Sequence, residues 1–169
     1  MFSNLFTRLP RKKIGAMVLV ALICGAIRLW LPGRLNVVVS GSLAHRIFIL
    51  SEPSAKIETG NYLVFKYDDL SFIDQKRLSK SNLLTKEVGC APGATLAVDV
   101  NRRFSCNGKP LGQALKTDSQ GNTLPQFVFN GVIPQDSYFM SGSDARSFDS
   151  KYFGFIKKNE ILYKAYPIW

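Results

Sequence analysis

Between Ile14 and Leu31 the chain is almost continuously apolar. A helix of about 18 residues rises roughly 27 Å, just enough to reach across the hydrocarbon core of a bilayer. Arg28 interrupts the run only near its end, where the side chain can snorkel to the interface beside Trp30. Arg8, Arg11, Lys12 and Lys13 precede the run, and no acidic residue occurs before Glu52. The positive-inside rule then puts the N-terminus in the cytoplasm and the remainder outside. The sequence thus predicts one N-terminal transmembrane helix, with residues 1–34 as basic tail and anchor and residues 35–169 as an external domain. A cleavable signal peptide shares the basic start, and Cys24-Gly25-Ala26 is a passable cleavage site, but the run is longer than an ordinary h-region. Cys24 lacks the small preceding residue of a lipobox and reads as an apolar helix residue.

The net charge of +10 has to be apportioned before it suggests a partner. Six of the 22 basic residues lie in residues 1–34, leaving 16 basic against 12 acidic residues, a net +4, for the rest. That is an ordinary domain charge. N-R-R-F at 101–104 and I-K-K-N at 156–159 read as turns and solvated edges rather than phosphate-binding patches, so no nucleic-acid partner is expected. The basic tail suits an anionic membrane leaflet instead.

Beyond Leu31-Pro32-Gly33 the signals are mainly β. Short apolar or alternating runs at Leu35–Val39, Arg46–Leu50, Tyr62–Tyr67, Thr95–Val100, Gln126–Phe129, Tyr138–Ser141 and Ile161–Tyr166 are separated by Pro-Gly, Asn-Gly and Ser-Gly turns. One helix is predicted around Asp69–Leu83, capped by Asp69 or Ser71. Cys90 and Cys106 would face an oxidising compartment, where a disulfide closing a loop of about 15 residues would contribute roughly 3 kcal/mol. Spacing alone leaves that pairing open.

The chemistry-bearing candidates are a serine and a lysine. Ser42 lies in V-V-V-S-G-S-L and Lys86 in L-L-T-K-E-V-G-C. A serine hydroxyl needs a neighbouring base, and a lysine serves as one only when desolvation keeps its amine neutral near pH 7. Strand alternation puts Leu84, Lys86 and Val88 on one face, and burial there would lower the lysine pKa. Lys66 alternates with Val64 in the same way, and periodicity does not choose between them. His45, the single histidine, lies three residues from Ser42 without an evident orienting carboxylate, which argues against a Ser-His-Asp triad. One histidine and scattered carboxylates give no metal-ligand cluster, and no cofactor is expected.

Four blocks in order carry a resemblance: S-G-S-L-A-H-R-I-F at 40–48, G-N-Y-L-V-F at 60–65, K-E-V-G-C-A-P-G at 86–93 and G-S-D-A-R-S-F-D-S-K-Y-F-G at 142–154. They resemble the type I signal peptidase family of Ser/Lys proteases, and within it the conjugative-transfer, TraF-type branch that matures pilin precursors. The most specific block is the last, S-x-D-S-[RK]-Y-[FW]-G. The resemblance implies a coiled β-sheet domain, Ser42 as nucleophile and Lys86 as general base. It implies that the Ser40 hydroxyl joins the Ser42 backbone N–H in the oxyanion hole, that Ser147 orients the lysine amine, and that Asp149 and Lys151 brace the site. Lys151 stands where the family commonly has arginine, so a bidentate clamp becomes a point-charge contact. Leu43 in place of methionine and the shortened S-G-S-D-A-R segment favour the conjugative branch over the housekeeping one.

The function so implied is a membrane-anchored serine endopeptidase acting on a signal or pilin precursor at the outer, periplasmic face of the bacterial inner membrane. Its partners would be that precursor and the lipid bilayer. In the conjugative branch the acyl-enzyme can be resolved by the N-terminus of the substrate, which cyclises a pilin. The alternatives are a general signal peptidase and a catalytically silent, membrane-anchored assembly component of a secretion or conjugation system.

Overall fold

The computed structural model describes residues 11–30, 33–38, 41–53, 56–67 and 82–169. The chain divides into two compact units, Met1–Leu35 and Asn36–Trp169. The first contains helix α1 (Arg11–Trp30), whose apolar side chains are exposed, Met17 at 61% and Leu22 at 65%. The transmembrane helix expected over Ile14–Leu31 is not supported: among the described residues no helix is long and apolar enough to cross a membrane. Arg11, Lys12 and Lys13 fall within α1 and Arg28 lies near its end. The uncharged stretch between Lys13 and Arg28 is therefore shorter than the about 20 apolar residues that a span requires.

The second unit is built on two antiparallel sheets. The larger uses β1 (Leu35–Val37), β2 (Ile47–Ser51), β3 (Tyr62–Lys66), β4 (Leu83–Cys90), β9 (Ser137–Ser141), β10 (Ile156–Lys157) and β11 (Ile161–Pro167), in the order β1-β2-β11-β3-β4-β9-β10. The smaller consists of β5 (Thr95–Val98), β6 (Arg103–Cys106), β7 (Lys109–Gln113) and β8 (Gly131–Val132), in the order β7-β6-β5-β8. The Asn36 amide on β1 donates to Thr85 Oγ1 on β4 at 2.8 Å, although β2, β11 and β3 lie between them in the ladder. A flat sheet would hold these strands some 19 Å apart at its usual strand spacing. The larger sheet is therefore curled, as expected of a coiled sheet.

Alternation along the strands sorts the side chains into three buried clusters. Leu63, Phe65, Val88 and Met140 lie in one, Leu43, Phe48, Leu50 and Val64 in another, and Cys90, Leu96, Phe104 and Phe139 in the third, at the smaller sheet. Cys90 and Cys106 form a disulfide with Cα atoms 5.6 Å apart, which staples β4 to β6. It closes a question that spacing left open.

Several strands differ from expectation. Gln126–Phe129 forms no strand: the Phe127 N–H donates to the Lys151 carbonyl at 3.0 Å, and its ring packs 5.0 Å from Phe155. β6 and β7 form a hairpin around Asn107 and Gly108, which have φ of 47° and 79° as a two-residue turn of this kind requires. β7 escapes a pattern reading because Pro110 and Gly112 break its alternation. A four-residue helix, α2 (Ser150–Phe153), forms within the signature block with Asp149 as its N-cap. The helix expected over Asp69–Leu83 lies outside the described residues except for Leu83, which opens β4.

Candidate active site

β4 carries Lys86 into the interior with 4% of its surface exposed, between Leu84 and the fully buried Val88 of the same face. Lys66, by contrast, ends β3 and is exposed. The Lys86 Nζ donates to Ser147 Oγ at 2.8 Å. Burial lowers the lysine pKa from 10.5 to about 8, because the ammonium loses its hydration. Asp149 opposes that shift, Lys151 adds to it, and Asp144 opposes it more weakly. A substantial fraction of neutral amine at mildly alkaline pH follows.

Ser147 is held by the loop that leaves β9. Its N–H donates to the Asp144 carbonyl at 3.0 Å, and its side chain is buried among Lys86 and Gly142. Asp149 follows, wholly buried, as the N-cap of α2. One carboxylate oxygen accepts from the Lys151 backbone N–H at 3.1 Å. The other accepts from Lys151 Nζ at 2.6 Å and from the Gly142 N–H at 2.9 Å. Lys151 is itself only 2% exposed, so this ion pair is fully desolvated. Asp149 and Lys151 thus form a buried ion pair whose carboxylate also holds the Gly142 N–H. Removing either partner would strand a buried charge.

Ser42 joins this cluster through its backbone. Its carbonyl accepts from the Ser143 N–H at 3.0 Å, and Leu43 beside it is buried in a hydrophobic cluster that anchors the loop. Gly142 is the meeting point, a residue that the motif reading passed over. A Cβ there would collide with Ser147 Oγ and lie 2.8 Å from the Ser42 carbonyl oxygen. The Ser42 loop and the Lys86–Ser147 pair are thus neighbours across one glycine. Only the absence of a side chain admits that approach. Ser40 lies outside the described residues. The His45 ring packs edge-on against Phe48 and Tyr62, at 6.4 and 5.9 Å.

A desolvated lysine amine aimed at a serine-rich loop, backed by a buried ion pair, is equipped to accept a proton from a hydroxyl. Comparison with known proteins gives the family. Residues 11–169 match the family described as signal peptidase, peptidase S26. The chain is also 34% identical over 88 residues to the conjugal transfer protein TraF of Agrobacterium fabrum (strain C58), a match that covers 51% of this chain and 48% of that protein. It thus spans about half the length of that relative. With the family matching from α1 through β11, the chain belongs to the signal peptidase S26 family.

Proposed function

We propose that this peptidase is a serine endopeptidase with Ser42 as nucleophile and Lys86 as general base, and that it matures a precursor protein in conjugative transfer. The carrying observation is the buried Lys86 amine, 2.8 Å from Ser147 Oγ and with a pKa lowered to about 8. In the proposed cycle neutral Lys86 takes the Ser42 proton as the hydroxyl attacks the scissile carbonyl. The Ser40 hydroxyl and the Ser42 N–H stabilise the oxyanion. Protonated Lys86 then gives its proton to the leaving amine, and the same base activates water for deacylation. Where the substrate's own N-terminal amine replaces water, the product is a cyclic polypeptide.

The preferred substrate is a signal or pilin precursor, on the strength of the TraF similarity and the shortened S-G-S-D-A-R segment. The proposed place of action is the outer face of the bacterial inner membrane. The basic residues around an apolar helix with exposed side chains support membrane association, and the Cys90–Cys106 disulfide suits an oxidising compartment. The test is co-expression with a pilin precursor of the same transfer system, followed by the mass of the mature product. Hydrolysis and cyclisation differ by one water. Unprocessed precursor in the presence of folded wild-type enzyme would reject this substrate class.

A further inference from the structure

The signature block contains one buried polar residue with no part in the proposed chemistry. Ser150 is wholly buried, and its hydroxyl accepts from the Met140 N–H at 2.8 Å. Two residues on, the Gly142 N–H donates to Asp149 Oδ2 at 2.9 Å. N–H groups two apart on an extended strand point to the same side. That side of β9 faces away from β4. β10 covers it only at Ser137 and Tyr138, where Lys157 and Ile156 pair with them. Past the end of β10 the ladder would leave the buried Met140 N–H and the half-buried Gly142 N–H without partners, a costly loss. The side chains of Ser150 and Asp149 take the place of the missing strand.

We propose that Ser150 is a positioning residue for the reaction: with Asp149 it completes the open edge of β9 and so fixes Gly142 at the point where the Ser147 hydroxyl and the Ser42 carbonyl meet. The strand arrives at Gly142 with no slack, because a Cβ there already overlaps Ser147. Freeing the Met140 N–H lets β9 shift toward another acceptor or admit water. Gly142 and Ser147 move with it, and Lys86 loses both its orientation and part of its desolvation. Besides Ser147, the charged groups that act on Lys86 are Asp149 and Lys151 of the signature block and Asp144 of the preceding loop. Ser150 adds no charge to this set. Its influence on the base runs through geometry alone. The inference rests on Lys86 as general base, and the experiment separates the two.

Ser150→Ala, Ser150→Thr and Lys86→Ala would be compared with wild type on the precursor, measuring kcat, KM and the pH profile of kcat/KM, with thermal unfolding as the fold control. Ser150→Ala is expected to lower kcat roughly 10- to 100-fold, the scale of a displacement of about an ångström at a catalytic group. KM should stay within about twofold, and the acid limb should move to higher pH as Lys86 is rehydrated. Ser150→Thr restores the acceptor and should recover most of kcat and the original limb. If Ser150→Ala is not recovered folded, Ser150→Cys, of similar volume and with a weaker acceptor, is read on the same terms. A folded Ser150→Ala enzyme with unchanged kcat and an unmoved limb, beside an inactive Lys86→Ala, overturns the role of Ser150 alone. Full activity in Lys86→Ala removes the base itself, and this inference with it.

Discussion

Lys86 Nζ lies 2.8 Å from Ser147 Oγ, in an interior that leaves 4% of the lysine exposed. The hydroxyl gives the amine a direction, and the surrounding apolar face removes the water that would keep it charged. The two residues are 61 apart in the chain, and in the proposed mechanism they act as the base and its orienting group.

The pH dependence follows from this burial. Only the neutral amine accepts a proton, so kcat/KM should rise with pH and level off above about 8, where Lys86 titrates in the free enzyme. A steady-state profile between pH 5 and 10 checks this. An acid limb lying well below 8 would contradict Lys86 as the titrating base.

Stability should respond to the same group with a definite sign. The folded-state pKa of Lys86 is about 8 against 10.5 unfolded, so between these values the unfolded chain binds more protons and stability rises with pH. The full cost of burying the ammonium is present below about 8. Lys86→Met should therefore be more stable than wild type at pH 7, by on the order of 1–3 kcal/mol after the lost Ser147 hydrogen bond is counted. Denaturant unfolding should show the advantage shrinking as pH approaches 10.5. An advantage independent of pH would contradict the assigned burial cost.

Lys86→Arg separates charge from basicity. It keeps a cation in place yet cannot release its proton at accessible pH, so precursor processing should fall below detection at every pH tested. Substantial processing by folded Lys86→Arg would exclude this residue as the base.

Gly142→Ala tests the close approach. The added methyl must displace Ser147 or the Ser42 carbonyl, and overpacking of this kind typically costs about 1–3 kcal/mol. Turnover should fall roughly 100-fold, because the displaced atoms belong to the site. Near-normal turnover would show that the loop yields without consequence.

Removing the disulfide probes the staple between the sheets. Cys90→Ala with Cys106→Ala should cost about 2–5 kcal/mol of stability. Cys90 shares β4 with Lys86, so the double variant should also lose turnover near its lowered melting temperature before the larger sheet unfolds. Coincident loss of fold and activity would confine the disulfide to a stabilising role.

The sequence made some of this legible and concealed the rest for physical reasons. A period of two placed Lys86 with Leu84 and Val88, because inward alternation is local information. It does not separate Lys66, which ends β3 and is exposed. The Cys90–Cys106 bridge depends on how β4 and β6 approach, which spacing does not encode. The tightness at Gly142 arises between Ser42 and Ser147, two loops brought together only by the curl of the sheet. The apolar run at Ile14–Leu31 reads as a span by composition, but its uncharged part between Lys13 and Arg28 is too short for one.

The central claim is that Ser42 attacks the precursor. The most direct measurement is single-turnover processing of one purified precursor by wild type and by Ser42→Ala, with folding of both checked by thermal unfolding. Wild type should convert the precursor completely, with an acyl-enzyme mass on Ser42 at early times. Ser42→Ala should leave it intact over the same period, consistent with a loss of roughly a millionfold when a nucleophile is removed. Equal conversion by both proteins would contradict the account.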